Sequence, residues 1–200
     1  MSSALQARHG WTYSDLVALP DDHLRHELID GEHFVSPSPT TRHQEVSVNL
    51  LRALLRHLDE SGAGNLLHAP FDVKLSPSTV LVPDVVYFTA ERFARVVNDK
   101  HATAAPDLVV EILSPGTRRR DLGRKRAVYD REGAREYWIV DPDARSITVL
   151  RRPRSDAGLT DVTVRALAND DTLESPLFPG LKLRLRDVFR SARGRAAART

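Results

Sequence analysis

With 200 residues, a net charge of +2 and no cysteine, the chain can build a full hydrophobic core, while disulfide scaffolds and thiolate metal sites are excluded. A hydrophobic fraction of 41% and a charged fraction of 28% are those of a globular protein, not a disordered or fibrous one. No apolar run approaches the ~20 residues needed to span a bilayer and residues 1–10 lack the apolar core of a signal peptide, so the expectation is a cytoplasmic protein with no membrane partner.

Residues 11–19 read as a short amphipathic helix, capped by Thr12 or Ser14 and closed by Pro20. Residues 26–35 read as a β-hairpin that turns at Asp30-Gly31, a dipeptide suited to positive φ. Ser36-Pro37-Ser38-Pro39 is a rigid connector. Residues 42–60 form the clearest helix, because Val46, Leu50, Leu54 and Leu58 recur at i+4 and Ser61-Gly62 ends the pattern. The period then changes. Residues 71–75 alternate as a half-buried strand, and residues 80–88 form an apolar strand broken by Pro83-Asp84. A short helix follows at 91–97, then a buried strand at 107–113 that is interrupted by Glu111. Residues 121–132 are predicted helical with Gly133 as the stop, and 136–140 and 146–150 are strands joined by an Asp141-Pro142-Asp143 turn. Weaker strands are predicted at 162–167 and 181–185. The expected organisation is a flexible N-terminus over 1–12, one domain over 13–189, and a basic, disordered tail over 190–200. The element order predicts an α/β (α+β) fold with a central mixed sheet flanked by helices.

Charge is unevenly placed. Residues 116–154 hold twelve Lys or Arg against six Asp or Glu, and residues 182–200 hold seven against one. The remainder is net acidic, and a basic face of this kind suits phosphate. An Arg-rich composition gives the same count without any selection for nucleic acid.

Three acids interrupt apolar strands: Glu27, Asp84 and Glu111. Each could point to water, but two acids in neighbouring apolar strands would converge on a site for a hard cation with oxygen ligands. Asp121, Lys125 and Tyr129 are spaced i, i+4, i+8 and share one helical face, which faces either that acid pair or solvent. Eight histidines show no zinc-ligand spacing. Trp11 and Trp138 read as core residues, and Ser114-Pro115-Gly116 as a turn that lacks the Gly-Lys-Ser ending of a phosphate loop.

Taken in order, His26 to Glu32, Ser36 to Pro39 with His43, Pro83-Asp84-Val85-Val86, Pro106 to Pro115, Arg120-Asp121-Leu122 with Lys125 and Tyr129, Glu136 to Pro142 and Phe178 to Leu181 closely resemble the Uma-type restriction endonuclease family of the PD-(D/E)XK nuclease superfamily. The resemblance covers about residues 13–189 and implies a restriction-endonuclease-like fold. It implies Asp84 and Glu111 as catalytic metal ligands together with the Ile112 backbone carbonyl, with Mg²⁺ as cofactor and Mn²⁺ as substitute. The signature lysine is missing two residues after Glu111, where Leu113 stands. Lys125 is the residue that matches the lysine relocated to the following helix. Glu27 resembles the early catalytic acid, and His43, Tyr129 and Asp121 would surround the site. Arg118, Arg119, Arg120 and Arg124 would hold backbone phosphates, unless they form a solvated basic surface.

The expected function is therefore metal-dependent hydrolysis of DNA phosphodiester bonds, by a homodimer if both strands are cut. Two rivals stand beside it. One is an inactive nucleic-acid-binding module of the same fold, motivated by the displaced lysine. The other is an interaction protein whose acids are incidental.

Overall fold

The strand-forming stretches fold into two main sheets, and the seam between them carries the acids noted above. The computed structural model describes residues 10–153, 158–165 and 171–191, with backbone alone for 161–165. The predicted N-terminus before residue 10, residues 166–167 of a predicted strand and the tail after residue 191 lie outside it.

In chain order the elements are α1 (Tyr13–Val17), β1 (Arg25–Ile29), β2 (Glu32–Ser36), α2 (Thr41–Ser61), β3 (Gly64–His68), β4 (Asp72–Ser76), β5 (Thr79–Leu81), β6 (Val85–Thr89), α3 (Ala90–Val96), β7 (His101–Ala102) and β8 (Leu108–Ile112). Next come α4 (Arg118–Arg120), a π-helical turn (Asp121–Lys125), α5 (Arg126–Arg131), β9 (Glu136–Asp141), β10 (Ser146–Arg151), β11 (Thr160–Arg165), β12 (Thr172–Ser175), β13 (Phe178–Arg184) and α6 (Leu185–Val188). A six-stranded mixed sheet runs β11-β10-β9-β8-β6-β3, with β8 and β9 parallel. A five-stranded sheet runs β2-β1-β5-β4-β7, and β12 pairs with β13 alone.

The apolar run 80–88 is thus two strands in two sheets. Pro83 cannot donate a ladder hydrogen bond, so the chain leaves the five-stranded sheet after β5 and enters the six-stranded sheet at β6. Asp84 sits at the crossing.

The six-stranded sheet is buried on both faces. Val46, Leu50, Leu54 and Leu58 of α2 pack on one face against Val85, Tyr87, Val110 and Trp138. On the other face Val109, Tyr137 and Ile139 meet Val128 and Tyr129 of α5 and Ile29 and Leu81 of the smaller sheet. Side chains alternate along a strand, so Glu111 shares its face with Val109 and Leu113, toward the smaller sheet. Helix α2 starts at Thr40, whose hydroxyl accepts from the His43 N–H at 3.2 Å. It ends at Gly62, which adopts a left-handed φ of 64°.

Two differences from the sequence pattern matter. The predicted helix 121–132 opens with a π-helical turn, and Asp121 and Lys125 are both buried on it. The residues between Ser61 and Phe71 contribute β3, antiparallel to β6. Gly64 begins β3 so close to β6 that a Cβ there would sit 2.3 Å from the Phe88 carbonyl oxygen and 2.7 Å from the Tyr87 ring. Backbone on one side and a buried ring on the other cannot both yield. Gly64→Ala should therefore cost about 1–3 kcal/mol, read as a lowered urea midpoint; an unchanged midpoint would mean that β3 shifts freely.

Candidate active site

The sheet seam gathers one cluster of charge. Glu27 lies on β1, Asp84 on the crossing before β6, Glu111 on β8, and Asp121 and Lys125 on the π-helical turn. All five side chains are buried. Lys125 Nζ lies 2.8 Å from Glu27 Oε1, 2.9 Å from Glu111 Oε1 and 3.5 Å from Asp121 Oδ1. Asp84 Oδ2 accepts from the Ile112 backbone N–H at 2.8 Å and from His43 Nε2 at 3.1 Å. Its other oxygen accepts from Arg25 Nη1 at 2.9 Å. Glu27 accepts from the Val82 N–H at 2.9 Å and pairs with Arg120 at 3.2 Å. These side chains line one cavity of about 240 Å³, walled also by the Ser36–Pro39 connector and the turn at Ser114–Thr117.

Burial, reinforced by the charges of Asp121, Asp84 and Glu27, holds the Glu111 carboxyl well above the usual carboxylate range despite Lys125. Burial likewise raises Asp121, against the pull of Lys125. For Asp84 burial is outweighed by His43, Arg25 and the Ile112 N–H, and its carboxyl falls below the usual range. Burial alone would lower Lys125, but Glu111, Glu27 and Asp121 together raise it above an ordinary lysine. Lys125 is therefore an ammonium, a donor and not a base.

A model of the Uma2 family, described as "Putative restriction endonuclease", matches residues 13–186. The chain belongs to the Uma2 family. A solved structure described as a putative nuclease belonging to DUF820 from Anabaena variabilis ATCC 29413 superposes with a TM-score of 0.73 at 19% identity, covering 89% of this chain and 97% of that one. No curated protein matches. Among the described residues no helix is long and apolar enough to cross a membrane.

For a Uma2-family chain the remaining residues singled out in the sequence fall as follows. His43 touches Asp84. Tyr129 is fully buried behind the cluster, and its hydroxyl has no hydrogen-bond partner among the described residues. The four arginines separate. Arg120 turns inward to Glu27, Arg118 pairs with Asp141 at 2.7 Å, and Arg124 pairs with Glu32. Arg119 is exposed and has no ion pair among the described residues. Arg25 was not anticipated from sequence, although period-2 alternation already puts it on the same face of β1 as Glu27.

A hard divalent cation fits this donor set. Asp84 and Glu111 supply carboxylate oxygens from adjoining elements. Buried Glu27 Oε2 and Asp121 Oδ1 accept no hydrogen bond and are met only by ion pairs with Arg120 and Lys125. No group of three His, Cys, Asp or Glu side chains converges as a ready-made cage among the described residues, so the side-chain donors here are the two carboxylates.

Proposed function

We propose that this chain is a metal-dependent endonuclease that hydrolyses phosphodiester bonds of DNA. The observation that carries the reading is the meeting of Asp84 and Glu111 in one cavity, with the Lys125 ammonium on Glu111. Asp84, Glu111 and the Ile112 carbonyl would hold Mg²⁺ or Mn²⁺, which when bound lowers the pKa of water and polarises a phosphoryl oxygen. Lys125, fixed as a cation, would stabilise negative charge developing on the phosphate rather than abstract a proton. Arg25 and Arg120 line the same cavity and would orient an incoming phosphate by paired N–H donors. His43 would hold Asp84 in place through its Nε2–H. Glu27 would set the position of Lys125. A homodimer would place two such sites on the two strands at once.

The test is nicking or linearisation of supercoiled plasmid with Mg²⁺, with Mn²⁺ and with EDTA, for the wild type and for Asp84→Ala and Glu111→Ala. Metal-requiring cleavage that disappears in both variants is expected. Undiminished cleavage in both would sink the assignment.

A second reading has its own observation. Asp84 is already engaged by three donors and Glu111 by Lys125, an arrangement that also suits a nucleic-acid-binding module without turnover. Salt-dependent duplex binding with no cleavage under either metal would favour it.

A further inference from the structure

Most described lysines and arginines of this chain are engaged by a carboxylate, a carbonyl or a ring. The others show no side-chain ion pair, hydrogen bond or ring contact among the described residues: Lys100, Arg119 and Arg145, and a set of five, Arg52, Arg56, Lys182, Arg184 and Arg190. All five line one groove, a cavity of about 400 Å³ between the flank of α2 and the β13–α6 segment.

The local structure accounts for this gathering. Arg52 and Arg56 are i, i+4 neighbours on the exposed flank of α2. Along β13 the buried residues Leu181 and Leu183 alternate with exposed Lys182 and Arg184, so strand periodicity aims both cations outward together. The Asn49 amide donates to the Val188 carbonyl at 3.0 Å and the Arg190 carbonyl at 2.8 Å, which ties the chain after α6 to α2 and sets Arg190 at the groove. Glu60 and Asp187 are the acids that line it, too few to neutralise five cations. Like charges at these spacings oppose folding, and an anionic ligand would relieve that repulsion.

We infer that this groove binds the phosphate backbone of a nucleic acid at a place separate from Asp84 and Glu111. The inference rests on the nuclease reading and deepens it by locating flanking contacts. Arg52 and Arg56 lie about 14 and 20 Å further along α2 than His43, the residue that touches Asp84, and at about 100° per residue they face the side of the helix away from it. Five guanidinium and ammonium groups along an open groove suit a repeating anion.

The experiment is fluorescence anisotropy of a labelled short DNA duplex in EDTA across a salt series, with the full chain and with Arg52→Ala/Arg184→Ala. Both positions are exposed and unpaired, so the thermal midpoint should not fall. Binding should weaken at least about tenfold near 0.1 M salt, and the slope of log K against log salt should fall by about 1.8. An unchanged slope and affinity in the variant would overturn the inference. So would salt-independent or absent binding by the wild type, or tighter binding of poly-glutamate, which would assign the groove to an acidic protein. Because cleavage cannot occur in EDTA, an inactive catalytic centre leaves this result standing, and the two readings fail separately.

Discussion

Replacing Lys125 with methionine is expected to destabilise the fold by about 3–5 kcal/mol at neutral pH. Methionine keeps most of the aliphatic volume, so the effect is electrostatic. It strands Glu27, Glu111 and Asp121, all buried, with one cation fewer. The cost should depend on pH in a stated direction. Glu111 already has a raised pKa from burial and its acidic neighbours, and loss of Lys125 raises it further. A carboxyl whose folded pKa lies above the unfolded value near 4.3 favours the folded state below that value and weakens it as pH rises toward the folded pKa. The variant should therefore approach wild-type stability near pH 4.5 and diverge from it toward pH 8. Urea unfolding across that range reads the difference, and a gap that stays constant with pH would mean that the carboxylates are not what Lys125 supports. Under the proposed function the same variant should lose plasmid cleavage by about 10²–10³-fold, the size of effect found when one donor to a developing anion is removed.

What could be read from the sequence, and what could not, follows physical lines. The i+4 stripe of α2 and the apolar run of β8 were legible because each is long and has one period. The apolar run 80–88 was legible as strand but not as two strands in two sheets, since both halves are buried and only Pro83 marks the seam. The strands β3, β7 and β12 were missed. They are short, and His101-Ala102 has no pattern of its own; it is held by pairing with β4. The π-helical turn is indistinguishable from α-helix in sequence because both conformations bring Asp121 and Lys125 to one side. In the site, the acids stood out because charge inside apolar strands is costly. Arg25 did not, since an arginine at the start of a hairpin strand looks like surface until its partner across the sheet is known. Arg118, Arg120 and Arg124 looked alike in a basic run, yet each finds a different acid, a distinction only tertiary contacts make.

Glu27 of β1 ties the strand crossing to α4 and the π-helical turn through one carboxylate. Its Oε1 accepts from the Val82 N–H at the strand crossing and meets Lys125 of the π-helical turn, while Oε2 forms an ion pair with Arg120 of α4. Glu27→Ala should cost about 3–5 kcal/mol, because it leaves buried cations short of a counter-charge. Glu27→Gln should cost less, since the amide oxygen can still accept from Val82. If the Glu27–Lys125 pair is the main thing lost, the two truncations must not add. The double variant Glu27→Ala/Lys125→Met removes both charges at once and should be more stable than the sum of the singles predicts, by about 0.5–3 kcal/mol. Additive costs would mean that Glu27 acts mainly through Arg120 and Val82, as a tie between the helical segment and the strand crossing. A large coupling would identify Glu27 as the group that keeps Lys125 charged and aimed at Glu111, which is the arrangement the proposed chemistry needs.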